Sequence, residues 1–571
     1  MRKNRSSPSP HSDSSPSLDA YLQAYGGHLH LHNAFNVSDL ESHHSGIFSS
    51  LHRRAHLKEL DVSAFLYAAL RLPDCVSRVE RILIGPSETV FAASGYPNVA
   101  DWPQVQSRAR RRRYHFDGAK NLAVFVTSVT DVDDIIPSLC AFQIEWNKMH
   151  SLLHRSPLGP ALASGQMAAT AVGPELQRIL GLNHADWDMV HRVWAQNNTS
   201  KFVELAQSPL SLRIERLPLH RRMFEEAAGE WWDIVSKRFS LDSDLCRPLY
   251  LVSSNTHGLA NLVSGYATAH EQALTDFLRD QNPDGLWETW LDSTRDPDSH
   301  KANLLCYALR HYLHVHPEAL AEKTAWEERS GLVRCLPTQY PHLEAQQIQL
   351  HQLNPSLLDS RLVWTSAIGQ SRALILNLDY PLGLAAAHLL TQALQRFPQL
   401  RGVFILGKSA ATMGRLGDIL VPSQVYDSHT RTRYQFRNVL NIRRLTPYLT
   451  RIAAFDDQKS VTVRGTFLHG RDTSASLIHD DFTGMEMEAG PYLNALYRHF
   501  NHQEPAPNET LTLTFPPTFH LGLLHYTSDT PYNIRPSLLS TRLGLSGLEA
   551  TYASVLSIFQ YILDLESKNT S

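Results

Sequence analysis

From Leu332 onward the chain alternates apolar strand-like runs with helical ones, and this alternation constrains the fold more than any other feature of the sequence. The runs are "LVRCLP", "RLVWTSAIG" leading into "RALILNLDY", the helical "GLAAAHLLTQALQRF", then "GVFIL", "DILVPSQVYD", "VTVRGTFLH", the helical "PYLNALYRHF", "HLGLLHYTSD" and a last helix. Strand-like runs that alternate with helical ones predict an α/β domain with a mostly parallel central sheet. In the last helix, Tyr552, Val555, Leu556, Phe559, Ile562 and Leu563 share one face, and Ser546 with Glu549 reads as a capping box. Gly402, Gly407, Lys408 and Ser409 match the spacing of an ATP-cradling P-loop. The four residues between those glycines are Val403, Phe404, Ile405 and Leu406, a buried strand that cannot also wrap its N–H groups around phosphates. The expected arrangement is a strand that ends in a small-residue turn at 407–411, at the edge where parallel sheets hold ligands.

Upstream the texture is mainly helical. "TDVDDIIPSLCAFQIEWNKMHSLLH" and "LPLHRRMFEEAAGEWWDIVSKRF" carry apolar residues at helical spacing, and two short strands, in "NLAVFVTSV" and "RPLYLVSSNTH", interrupt the pattern. The expected organisation is a disordered tail over 1–16, a large mainly α-helical domain over 17–330, and the α/β domain over 331–566. Hydrophobic residues make up 43% and charged residues 19%, without an apolar run near the length a bilayer span needs, so no membrane is expected. A net charge of −3 gives no general reason to bind nucleic acid. Five scattered cysteines fit a reducing cytoplasm better than a disulfide framework, and 30 histidines without ligand spacing predict no metal site.

Three landmarks occur in one order: "NLDYPLGLAAAHLL" with "FILGKSAATMGRLGDILVPSQVYD", then "GMEMEAGPYLNALY", then "LLHYTSDTPYN". Together they resemble the nucleoside phosphorylase and nucleosidase superfamily over about 332–566, whereas the first half is similar only to an uncharacterised bacterial family. The resemblance implies cleavage of the N-glycosidic bond of a nucleoside, purine or derivative, by phosphorolysis or hydrolysis. It implies Asp529 as the acid for the leaving base, with Ser528 beside it and Arg542 assisting, Arg535 being a competitor for that place. It implies Glu488 as the partner of the sugar hydroxyls, Met487 packed on the sugar, and Phe467 among the substrate contacts. A homo-oligomer is expected on the same ground. The chemistry agrees with two carboxylates: an oxocarbenium-like sugar and a departing base each need one.

The phosphate loop departs from that family's small G-S-x-G sequence. Gly407, Lys408 and Ser409 stand there instead, with Lys408 as a point charge for phosphate or as the partner of a carboxylate, so phosphate is a possible co-substrate and no other cofactor is implied. The alternative is a degenerate nucleoside-binding sensor. "RARRRRYHFDG" reads as an internal salt-bridge cluster or solvated face, given the acidic "TDVDD" nearby, and "SSNTHGLANL" as a helix cap.

Overall fold

The computed structural model describes residues 16–26, 33–165, 172–194, 198–295, 301–337, 341–470, 480–530 and 544–569. The chain divides into two compact units, the first made of 1–124, 132–219 and 465–480, the second of 125–131, 220–464 and 481–571. Of the expected tail over 1–16, residues 1–15 lie outside the described residues, and Pro16 opens the helix Pro16–Gly26.

The first unit contains more sheet than its sequence suggests. Six short strands, β1 (Asn33–Asn36), β2 (Arg81–Gly85), β3 (Gln104–Val105), β4 (Tyr114–Phe116), β5 (Asn121–Phe125) and β6 (Arg213–Arg216), order themselves as β1-β6-β2-β5-β4-β3. At two to five residues each they leave almost no periodicity to read. The helix Val129–His154 is the longest of this region. Its Asp134 takes Arg110 at 2.8 and 3.0 Å and Arg112 at 2.9 Å, while Arg113 pairs with Glu88 at 2.6 Å. The arginine run is thus an internal ion-pair cluster. Burial alone would raise the Asp134 carboxyl, yet the Arg110 and Arg112 guanidiniums hold it well below the usual range.

The second unit is built on β7 (Leu249–Ser253), β8 (Leu332–Cys335), β9 (Ala345–Gln349), β10 (Leu374–Leu378), β11 (Leu400–Ala411), β12 (Ile419–Asp427), β13 (Thr432–Phe436), β14 (Ala454–Thr462), β15 (Gly484–Glu486), β16 (Thr510–Leu513) and β17 (His520–Asp529). Their order is β16-β13-β12-β14-β15-β11-β7-β10-β9-β8, with β17 joining β11 to β12. The sheet is mixed: six of the eleven described pairings are parallel, and β10-β7-β11-β17 form its parallel centre. Apart from 125–131 the unit runs from His220, and so takes in residues upstream of 331: β7 is buried at every position and lies between β10 and β11. A strand about 120 residues upstream in sequence thus supplies the middle of the sheet, which local periodicity cannot show.

Alternate residues of the central strands feed two cores. Tyr250, Val252, Ile375, Phe404 and Leu406 face one side, with α2 (Gly258–Ser264) and the C-terminal helix. Leu249, Leu251, Leu374, Leu376, Val403 and Ile405 face the other, against α1 (Arg221–Phe239), α3 (Leu384–Arg396) and α4 (Ala489–Asn501). The C-terminal helix, α5 (Gly544–Asn569), buries the six face residues named above. The side chain of Ser546, the other half of the expected capping box, lies outside the described residues, and Glu549 accepts the N–H groups of Thr450 at 2.5 Å and Arg451 at 2.9 Å.

The pairings β11-β17, β17-β12, β12-β14, β14-β15 and β15-β11 close a five-stranded ring. Its interior is filled. A Cβ on Gly484 would meet Ser409 Oγ at 2.8 Å, Leu420 Cδ1 at 3.0 Å and Ser460 Oγ at 3.1 Å, so three other strands converge there.

Candidate functional site

The long strand β11 organises the site. On one side β17 follows it from Gly402 to Ala410. On the other, β7 pairs only as far as Ile405 and β15 only at Ala410 and Ala411. Between them the β11 edge from Leu406 to Ser409 faces neither strand, over roughly 10 Å at about 3.3 Å per residue. Lys408 is exposed on this stretch, and Ser409 is buried.

Gly407, Lys408 and Ser409 therefore lie inside a strand, not in the expected turn. Gly407 opposes His525 in the ladder, and a Cβ there would come within 2.9 Å of the His525 ring, so the glycine makes room for a side chain rather than for a phosphate. Extended backbone alternates its N–H groups to opposite sides and forms no anion nest. The tight turn comes later, with Gly414 (φ +80°) and Gly417 (φ +93°).

Ala410 brings the two predicted acids toward one place. It pairs with Met485 on one side and with Asp529 on the other, which sets those residues about two strand spacings, roughly 10 Å, apart. The Ser409 hydroxyl donates to the Met485 carbonyl at 3.1 Å, and the Ser528 hydroxyl donates to Asp529 Oδ2 at 3.3 Å and to the Ser409 carbonyl at 3.5 Å. Ser528 and Asp529 are half-buried at the end of β17. Glu488 is half-buried at the N-terminus of α4, after a buried Met487.

Glu486 is the residue that sequence reasoning missed. Its Oε2 accepts the N–H groups of Glu488 and Ala489, both at 2.6 Å, and its Oε1 accepts the Thr462 hydroxyl, which in turn accepts the Gly490 N–H at 2.7 Å. Glu486 therefore caps α4, while the Glu488 side chain makes no cap bond. A carboxylate beside a helix N-terminus is ordinarily held there by the free N–H groups, and Glu486, not Glu488, takes that role. Burial pushes the Glu486 carboxyl up to about 8 and the charge of Glu488 adds to the rise, against the N–H and hydroxyl donors, which lower it. Asp427, at the end of β12 beside Thr462, is likewise pushed up by burial to about 6, against donation from His429 N–H and Thr430. Gly490 lets the helix close on this group: a Cβ there would sit 2.7 Å from Asp427 Cβ and 2.8 Å from Thr462 Oγ1. The spacing E-x-E in "MEMEAG" was the available signal, since it offers two carboxylates to one strand-to-helix corner.

Other expected residues fall elsewhere. Phe467 is buried in the first unit, edge-on to Tyr67 at 5.3 Å and 5.9 Å from His44, so its ring belongs to that core and not to a substrate surface. Arg542 and its competitor Arg535 lie outside the described residues. At the end of β7, Asn255 Oδ1 accepts the N–H groups of Gly258 at 2.5 Å and His257 at 3.1 Å, as a cap of α2. Among the described residues no helix is long and apolar enough to cross a membrane.

Comparison with solved structures places several nucleosidases among the neighbours. A 5'-methylthioadenosine/S-adenosylhomocysteine nucleosidase from S. pneumoniae is 11% identical, with 44% of this chain and 96% of that one covered and a TM-score of 0.28. An S-adenosylhomocysteine nucleosidase from Streptococcus pyogenes is 8% identical over 56% and 97%, with a TM-score of 0.29. A futalosine hydrolase mutant from Helicobacter pylori is 8% identical over 55% and 98%, with a TM-score of 0.28. Similarity at this level has no weight for activity, which must be read from the chain's own strands and side chains. None of the curated proteins compared with the chain matches it. Residues 37–564 match the model of a family of unknown function (DUF6909), and the chain belongs to that family.

Proposed function

We propose that the second unit cleaves the N-glycosidic bond of a nucleoside, with a purine nucleoside or derivative as substrate and water as nucleophile. One observation carries the reading: β11 gathers Asp529 and the Glu488 corner around Ala410, and Glu486 relieves Glu488 of the helix cap. In this scheme Asp529 gives a proton to the leaving base as the C1′–N bond breaks. Glu488 holds the sugar hydroxyls and stabilises the positive charge that develops on the sugar, and water completes the exchange to free base and sugar. Water is preferred to phosphate because Gly407–Ser409 are extended and offer Lys408 alone in place of an N–H cradle.

The test is chromatography of free base from a panel of nucleosides, with and without phosphate. Asp529→Asn is expected to lower kcat by about 10²- to 10⁴-fold with little change in affinity, and Glu488→Ala to damage both. A wild type that binds nucleosides yet releases no base under either condition would make the second unit a binding protein.

A further inference from the structure

Two neighbouring parallel strands send their chains to opposite faces of the sheet. After β7 the chain enters α2 on one face, and after β10 it enters α3 on the other. In open α/β sheets such a divergence, beyond the carboxyl ends of the pair, is where ligands bind, and here it falls at Ser253 and Leu378. Ser253 continues the row of Leu249 and Leu251, so its side chain faces the α4 side.

Tyr492 stands over that point. It lies on α4 one helical turn after Glu488, is fully buried, and packs among Ala489, Leu493 and Leu496. Its hydroxyl is buried without a hydrogen-bond partner among the described residues. The Ser253 hydroxyl is close enough to ease its ionisation slightly, but the two do not reach hydrogen-bonding geometry. Burial, with a smaller push from Glu488, holds the phenol well above its ordinary value, so it remains a donor throughout the physiological range. A buried hydroxyl without a partner is unfavourable, and most proteins avoid it. Apolar packing does not account for the oxygen, since phenylalanine would fill the same space.

We infer that the Tyr492 hydroxyl is a recognition group that donates to an oxygen of the ligand's sugar. This rests on the glycosidic-cleavage reading, which puts the sugar at Glu488, one turn of about 5.4 Å along the same helix. The role is specificity: the phenol completes its hydrogen bond only when a sugar oxygen is present.

The experiment compares the full-length wild type with Tyr492→Phe on adenosine and its 2′-, 3′- and 5′-deoxy derivatives, by base release, by calorimetric affinity and by thermal midpoint. The midpoint is expected to stay or rise, because no internal hydrogen bond is lost. Adenosine is expected to lose about five- to tenfold in kcat/KM or affinity. One deoxy derivative, the one lacking the accepting oxygen, is expected to be handled equally by both proteins. A midpoint lowered by several degrees would assign the hydroxyl an internal partner and overturn the inference. So would an active or ligand-binding wild type whose preferences among the four compounds survive in Tyr492→Phe, and that result leaves the cleavage reading standing. A wild type that neither binds nor cleaves any of the four overturns both.

Discussion

Replacing Glu486 by Gln is expected to remove a pH dependence of stability that the wild type carries near neutrality. Folded protein holds the Glu486 carboxyl up to about 8, against an ordinary value of 4.5. Between those values the folded state keeps a proton that the unfolded chain has released, so stability falls as pH rises. From pH 6.5 to 8.5 the loss works out at about 2 kcal/mol for this one group. Asp427, at about 6, acts in the same direction at lower pH, and the buried neutral histidines His388, His469 and His525 act oppositely below their ordinary 6.5. Measurement between pH 6.5 and 8.5, and subtraction of variant from wild type, separates Glu486 from all of them. The amide keeps an acceptor for the N–H groups of Glu488 and Ala489 and cannot ionise. Urea unfolding followed by tryptophan fluorescence suits the second unit, where Trp231 and Trp232 are fully buried. The expected result is a midpoint that falls with pH in wild type and stays level in Glu486→Gln. Parallel curves for the two proteins would refute the assignment of a buried, protonated Glu486.

Gly490→Ala should destabilise the second unit by about 1–3 kcal/mol, since the new methyl has no free space between Asp427 and Thr462, and the same unfolding assay reads it. Asp134→Asn leaves the buried Arg112 facing a neutral group and should cost the first unit about 3–5 kcal/mol by thermal unfolding at neutral pH. In the wild type the contribution of Asp134 is complete above its ordinary range and is lost as pH falls toward its lowered folded value, so acid should narrow the gap between the two proteins. Base release is expected to be the same with and without phosphate; a rate that requires phosphate, with a phosphate KM raised by Lys408→Ala, would assign phosphate as the nucleophile.

The strands that the sequence reveals are those long and apolar enough to state their own period: "GVFIL" within β11, "DILVPSQVYD" as β12 and "HLGLLHYTSD" as β17 each appear where expected. What escapes is whatever depends on a distant partner. β7 reads as an isolated strand of a helical domain because its neighbours β10 and β11 lie more than 100 residues later. The small residues after Leu406 read as a turn because nothing local reveals the His525 ring that Gly407 must accommodate. Glu549 reads as a capping-box acid because Thr450 and Arg451, whose N–H groups it accepts, are remote in sequence. At the candidate site the motif "GMEMEAG" marks the corner between β15 and α4 and singles out one of the two carboxylates there. The division of labour between Glu486 and Glu488 depends on which oxygen faces the α4 N–H groups, and spacing does not encode that.

The closed ring also sets an order of events during synthesis. Of its five pairings, the two that join β11 to β12 around the far side both use β17, which begins at His520 while β11 ends at Ala411. At about 5–20 residues per second a ribosome takes roughly 5–20 s to pass from one to the other. For that interval β11 and β12 present open edges to other nascent chains, and the first unit too must wait for its segment Gly465–Asp480. Neither unit can finish folding while the chain is still short of residue 480, so the segments of both units made before that point stay incomplete and need shielding until it is reached.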